Sequence, residues 1–568
     1  MGAILRTLIR MRGSLMTRRF DSAADRLEDT QRAFLLNLIR TNAETAFGKD
    51  HGFVHIRTEA DYRRQVPVRD YEGFRPYVNR IIVGESAVLT AIAPQMLNMT
   101  SGTTGEPKYI PVTPDSLRHS TDYSVQWISR ALRDHPTLLN HAFVAIVSRA
   151  TEGRMPSGLP FGSASGMIYQ RIPRPIRAAY AIPYLVSEIR DYDRRYFVAV
   201  RLAMGARVSY IGTPNPSTLV RLAETGIQHA EAIIRAIHEG TLGIALPDQP
   251  EIASLLAARL TPDPKRAKVL AKIVERTGAL RPADCWPDLS LIGCWLGGSV
   301  GTQARRVSAY YGEVPMRDLG YLASEGHFTL PHQDHTSSGI LLLRTNYYEF
   351  IPENTLNDSH PTVFSSHELD PGGRYAVLLT SAGGLYRYDI HDIVQVTGFY
   401  RNTPLLAFIR KGRDMTSITG EKMHANHLLL ALELVRKHYD VSLVEQFRVV
   451  ANVEERRYDI YAEFKTEVSH DRLRDEVLPD LDRMLAQVNV EYAEKRRSRR
   501  LAPPCLHLMR PGWADREYRR GMAAGKRDTQ YKWQILCPEP RPEDTEAILS
   551  TITVEKDDQA GDSLPVHT

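Results

Sequence analysis

Residues 100–108 read TSGTTGEPK, a loop-forming stretch in which hydroxyl side chains and two glycines lead to Lys108. Glycine lets backbone N–H groups come close to an anion, and Ser and Thr hydroxyls add further donors, so such a loop can wrap phosphate oxygens. It is not the G-x-x-x-x-G-K-[ST] loop of P-loop kinases and ATPases, because Lys108 follows Pro107 and precedes Tyr109. Taken alone, the composition also fits an ordinary turn.

Three later stretches add chemistry. Residues 320–327, GYLASEGH, follow Leu296-Gly297-Gly298-Ser299 and place Glu325 among small residues, where a carboxylate can hold a hard cation such as magnesium. The adjacent His327 is either an acid–base group or an ordinary packing histidine. Residues 384–394, GLYRYDIHDIV, put Tyr386 and Tyr388 around Arg387 on a strand that ends in an acidic turn. Asp392 there is suited to accept hydrogen bonds from ribose hydroxyls. Residues 408–422 begin with Phe408, a ring that can stack on a base, and continue as KGRDMTSITGEK, a polar segment that reads as a hinge.

Around these stretches the chain alternates. Strand-like runs at 143–147, 208–211 and 289–296 are separated by helical patterns such as 219–237, which predicts an α/β domain with buried parallel strands. Between 339 and 408 the pattern turns β-rich, predicting a sheet or distorted barrel. After the hinge, helix candidates at 427–439 and 471–497 and strand candidates at 447–450 and 460–464 predict a smaller α/β domain. The expected division is 1–415, 416–540 and a loose tail over 541–568, rich in Pro, Glu, Asp, Ser and Thr.

Composition sets the outer limits. With 568 residues the chain exceeds one ordinary core, and 43% hydrophobic with 24% charged residues is globular usage. The 72 basic and 67 acidic residues leave a net charge of +5, too small a bias to indicate nucleic acid as a partner. No apolar run is long enough to span a membrane. Four cysteines without C-x-x-C spacing predict reduced thiols in a cytoplasmic enzyme and give no sign of a zinc site. The first twenty residues carry five arginines and no acid. They read either as a transit-like or membrane-surface helix, or as a helix that packs on its own domain with its arginines solvated.

In their order along the chain the four stretches resemble the adenylate-forming superfamily, and most closely its acyl acid amido synthetase branch, the auxin-responsive Gretchen Hagen family. TSGTTGEPKYIP, YLASE and YRYDIHDIV are similar to that family's three nucleotide motifs, and FIRKGRDMTSITGEK and TQYKWQ extend the resemblance to residue 534. The resemblance implies a large ATP- and acyl-binding domain with a smaller mobile C-terminal domain. It also implies that a carboxylic acid is adenylated and passed to an amino acid amine, with ATP and Mg2+ required. By position, Ser101, Gly102, Thr103, Thr104 and Gly105 would meet the phosphates. Tyr321, Ser324 and Glu325 would border the adenylate, with Glu325 on the magnesium. Asp392 would hold the ribose, Phe408 would lie against the adenine, Arg413 and Lys422 would sit at the hinge, and Lys532 would stabilise charge during adenylation.

Two positions depart from the family pattern: His391 stands where Gly is usual, and Asp389 where a basic residue is common. Both bear on ATP affinity, and a Gly position can require positive φ. Transfer of the acyl group to coenzyme A, with the basic block 495–500 (KRRSRR) on its phosphates, and a nucleotide-binding scaffold without turnover are the alternatives. Neither the acid, the amino acid nor the oligomeric state is legible.

Overall fold

The alternation of short apolar runs with helices is realised as a four-stranded parallel sheet. Its order is Ala142–Ala145, Val208–Gly212, Leu291–Gly293 and Met316–Arg317. The strands are buried because helices such as Tyr192–Met204, Pro216–Gln228 and Ala230–Glu239 turn apolar stripes onto them; Leu219, Ala223, Ile233 and Ile237 belong to the same core as Val208 and Ile292.

The computed structural model describes residues 3–100, 108–297, 301–411, 415–439, 444–497, 501–523, 531–537 and 540–554, apart from 357, 359, 417, 419, 420, 422, 453 and 532. It divides into a first compact unit that runs to Ile409 and a second that begins at Arg410.

The β-rich region of the first unit is a seven-stranded sheet in the order Thr329–Pro331, Gly339–Leu341, Thr403–Lys411, Tyr388–Tyr400, Arg374–Ser381, Asn346–Pro352 and Phe364–Ser365. Residues from the N-terminal 70 pack on it through a buried charge cluster. Glu349, 1% exposed, receives Arg63 Nε at 3.0 Å and Arg387 Nε at 2.9 Å. Arg387 Nη1 also donates to the carbonyls of Val66 and Arg63 at 2.9 and 3.1 Å. Arg69 and Asp389 then exchange a backbone hydrogen bond with this strand, Asp389 N to Arg69 O at 2.8 Å.

The basic N-terminal segment forms the helix Ala3–Asp25 and packs on its own unit. Phe20 is buried in one cluster with Trp127 and Leu132 of the helix Pro114–Asp134, the Arg130 guanidinium lies 5.2 Å from the Phe20 ring, and Gly13 passes against Ser129. Arg10, Arg18 and Arg19 remain exposed. Among the described residues no helix is long and apolar enough to cross a membrane.

In the second unit a five-stranded sheet runs Leu536–Cys537, Val444–Asn452, Arg457–Phe464, Cys505–Met509 and Ile548–Thr553. The helical pattern over 471–497 is interrupted. A π-turn at Leu473–Val477 precedes the helix Leu478–Val488, which stops at Asn489. Asn489 adopts extended backbone, its Oδ1 accepts from Tyr492 N at 3.0 Å and its Nδ2 donates to Glu421 O at 3.0 Å, so its side chain ends one helix and opens the next.

The expectation of a loose tail from 541 is corrected: Pro542–Glu546 is helical and Ile548–Thr553 pairs antiparallel with Cys505–Met509. Asp544, fully buried, explains this. Its Oδ2 meets Arg448 Nη1 and its Oδ1 accepts from Trp513 Nε1 at 2.9 Å, so an acidic residue typical of disordered tails becomes the counter-charge of a core arginine. Residues 555–568 lie outside the described residues. Glu517 also accepts from Arg448 Nη2 at 3.2 Å, so Asp544→Ala removes one of two counter-charges from a buried arginine and is expected to cost up to about 3–5 kcal/mol of stability, read from denaturant unfolding of the full chain.

Candidate functional site

The strands Met96–Thr100 and Lys108–Val112 flank residues 101–107 and pair antiparallel up to Thr100↔Lys108. Ser101, Gly102, Thr103, Thr104 and Gly105 lie outside the described residues, as do Arg413, Lys422 and Lys532. The remaining sequence-predicted residues, Tyr321, Ser324, Glu325, Asp392 and Phe408, all belong to the first unit, and the fold brings them to one place.

Their convergence rests on aromatic stacking and one short hydrogen bond. The Tyr321 ring stacks on Phe328 at 4.2 Å between centroids and on Phe408 at 5.6 Å. Phe408 ends this run half-buried, on the strand Thr403–Lys411. The Tyr321 hydroxyl donates to Asp392 Oδ2 at 2.6 Å. Burial and the adjoining carboxylate hold the Tyr321 phenol well above its ordinary pKa, so it remains a donor at every physiological pH. Asp392, 2% exposed, is thereby fixed in orientation.

Ser324 and Glu325 occupy the turn between the paired strands Leu322–Ala323 and Gly326–His327. Two residues that sequence reasoning missed or left without a role hold this turn. Asn98, buried two positions before Thr100, donates from Nδ2 to Ser324 O at 3.2 Å, while its Oδ1 accepts from Ala164 N at 3.2 Å. It therefore couples the strand before residues 101–107 to the Glu325 turn and to the start of the helix Ala164–Arg171. Tyr388 hydrogen-bonds Glu325, and burial with that carboxylate raises its phenol pKa.

Asp318 is the other unforeseen residue. Its two oxygens accept from Leu296 N at 2.7 Å and Gly320 N at 2.6 Å, which ties the loop at Gly297 to the one carrying Tyr321. Burial pushes its carboxyl up to about 7 against the opposing pull of those two N–H groups. No sequence signal marks Asn98 or Asp318, because each acts through backbone atoms of segments far away in the chain.

The two departures in the third motif prove to be one device. His391 has φ 57°, the left-handed conformation that glycine adopts without penalty. Asp389 supports it twice: Oδ1 accepts from His391 N at 2.8 Å, and Oδ2 lies 3.0 Å from His391 Nδ1. The carboxylate thus stabilises, in a residue with a side chain, the backbone course a glycine would take, and Asp392 follows directly.

His327 is not a proton shuttle. It is half-buried, with the Tyr123 ring 4.3 Å away, and desolvation, with His119 nearby, lowers its pKa to about 4. Such an imidazole is neutral at pH 7 and too weak a base to take a proton from an amine. Ser163, Ser165, Tyr169 and Tyr184 are engaged in local structure: Ser163 caps the helix Ala164–Arg171, Tyr169 donates to Ile182 O, and Tyr184 accepts from Ala150 N.

Within the basic block, Arg496 is paired with Asp482 at 2.9 Å and donates to Leu501 O at 3.0 Å, and 498–500 lie outside the described residues.

Comparison with known proteins bears on the family and the fold. The GH3 family N-terminal domain matches residues 16–316, its central domain 339–411 and its C-terminal domain 426–541. The chain is similar to jasmonoyl–L-amino acid synthetase JAR6 of Nicotiana attenuata, 25% identical over 92% of this chain and 93% of that protein. It is also similar to indole-3-acetic acid-amido synthetase GH3.3 of Arabidopsis thaliana, 24% identical over 82% and 80%. In fold it is similar to the GH3.15 acyl acid amido synthetase, with a TM-score of 0.82 at 19% identity, covering 94% of this chain and 96% of that one.

Two outcomes are expected. His327 is held neutral in the folded chain, so its contribution is complete above pH 6.5 and lost as pH falls toward 4. The stability of the protein relative to His327→Phe should therefore drop by about 3 kcal/mol between pH 7 and 4 in denaturant titrations. Asp389→Ala should cost about 1–2 kcal/mol, and most of that should return when His391→Gly is added, because glycine needs no brace at positive φ.

Proposed function

The chain belongs to the GH3 family, and from that premise we propose that it is an ATP-dependent acyl acid amido synthetase, joining a carboxylic acid to an amino acid amine through an acyl adenylate. The observation that carries the reading is the Phe328–Tyr321–Phe408 stack with Asp392 hydrogen-bonded to Tyr321. It offers a half-exposed ring face for a base beside an oriented carboxylate for ribose hydroxyls.

In the first step a substrate carboxylate oxygen attacks the α-phosphorus of ATP, the bond to pyrophosphate breaks, and acyl-AMP forms. In the second an unprotonated amine attacks the acyl carbon, AMP leaves with the bonding electrons, and the amine proton passes to solvent. Phe408 carries the adenine, Asp392 the ribose, and Ser101, Gly102, Thr103, Thr104 and Gly105 the phosphates. Glu325, turned by Asn98 and Tyr388, suits magnesium, which when bound supplies charge neutralisation at the phosphates. Lys532 stabilises charge developing on the phosphates, and Arg413 and Lys422 belong to the hinge from which the domain after 415 moves.

Two rival readings lose support. Within KRRSRR, Arg496 is already spent on Asp482 rather than free for a coenzyme phosphate. The Asp389–His391 brace preserves rather than destroys the third motif, which argues against a scaffold without turnover. Four free, buried cysteines suit the cytoplasm.

The test is pyrophosphate release from the purified protein with magnesium ATP and panels of aryl and aliphatic acids, with and without amino acids. Product masses identify what is made. Release that depends on the acid, with an N-acyl amino acid as product, is expected. Lys532→Ala should slow adenylation about 10²–10³-fold, the usual effect of deleting a preorganised donor. An adenylate consumed only by coenzyme A, or no turnover with any acid, would overturn the assignment.

A further inference from the structure

The sheet of the second unit carries unlike ligand-type side chains on the face opposite the helices Ala425–His438 and Leu478–Val488, the face on which Trp513 packs against Tyr461 and Met509. Ile460, Ala462, Leu506 and Leu508 face the core shared with Leu428 and Leu485 of the helices. Alternation along the strands turns Asp459, Cys505 and His507 to the opposite side. The parallel register sets Asp459 beside Cys505 and Tyr461 beside His507. All three ligand-type residues are buried. Cys505 Sγ is 3.8 Å from His507 Nε2, and that nitrogen is 3.9 Å from Asp459 Oδ2.

We propose that Asp459, Cys505 and His507 form a divalent metal site, of the chemistry that selects zinc, separate from the nucleotide site of the first unit. Thiolate, imidazole and carboxylate is a zinc-type donor set rather than a magnesium or calcium one. Around a tetrahedral zinc such atoms stand roughly 3.3–3.6 Å apart, and here all three lie within 4.8 Å of one another, so the ligands would draw inward to seat the ion, with water in the fourth position.

The surroundings are those of a site that orients its ligands. His507 Nδ1 is 2.9 Å from Thr551 Oγ1, which leaves Nε2 facing the cluster. Asp459 Oδ1 accepts from Arg457 Nε at 2.8 Å, and Oδ2, which faces the cluster, accepts from Asn452 Nδ2 at 2.7 Å and keeps a second lone pair. Outer hydrogen bonds of this kind fix ligand direction in metal sites. A thiolate and a carboxylate together neutralise a divalent ion, and the Arg457 cation contacts Asp459 through the other oxygen. The metal would pin Arg457–Phe464 to Cys505–Met509, with Thr551 on the neighbouring strand holding the imidazole.

The experiment uses the full chain, stripped of metal with a chelator and titrated with cobalt(II), then with competing zinc. Saturation at one equivalent per chain is expected, with a thiolate-to-cobalt charge-transfer band that zinc abolishes. Cys505→Ser should remove the band, and His507→Gln should weaken binding at least tenfold. Thr551→Val, which leaves every ligand in place, should weaken it by a smaller factor and keeps the test valid if a ligand variant fails to fold. No saturable cobalt binding, or binding without a charge-transfer band, would overturn the proposal.

Discussion

Glu349 is a carboxyl side chain with almost no access to water, where a bare charge would be untenable. Its two oxygens are taken by Arg63 and Arg387, and Nη1 of Arg387 donates to the carbonyls of Arg63 and Val66. The cluster is satisfied only when the N-terminal segment, the strand Asn346–Pro352 and the turn at Arg387 are all in place. It therefore sets where the strand Tyr388–Tyr400 begins, and through that the positions of Asp389, His391 and Asp392. Arg387 itself holds φ 47°, a backbone state that the surrounding bonds repay.

Much of this arrangement was legible in the sequence, for definite reasons. Apolar runs at 143–147, 208–211 and 289–296 could hardly be anything but buried strands, and they fold as the parallel sheet. Tyr321, Asp392 and Phe408 were singled out by resemblance, and in the fold Tyr321 touches both of the others. The glycine-like demand at position 391 followed from the same comparison, and φ there is positive. Asn98 and Asp318 were illegible because their partners are main-chain atoms, which leave no mark on composition. Asp544 misled because an acid among Pro, Glu and Thr reads as solvent-facing until its partner, Arg448, is known. Asp459 escaped notice alongside Cys505 and His507 because only strand register joins them.

The first unit solves the problem of polar groups in a dry site by making each serve two segments. Asn98 joins a strand, a turn and a helix start; Asp318 joins two loops; Tyr321 joins an aromatic stack to a carboxylate. Such sharing keeps buried donors and acceptors satisfied while fixing the geometry that a transition state would need. It also means that a substitution at any shared residue moves more than its own side chain.

Both edges of the second sheet, Leu536–Cys537 and Ile548–Thr553, come from the last part of the chain, and Asp544 lies between them. During synthesis the inner strands emerge first, with open edges and with Arg448 lacking Asp544, one of its two carboxylates. The unit reaches its final state only after residue 553 has left the ribosome. A chain interrupted before residue 544 would carry exposed strand edges and an Arg448 left with Glu517 alone, features that mark it for chaperones or proteases rather than for catalysis. Completion of the second unit thus waits on the segment that supplies both Asp544 and the strand Ile548–Thr553.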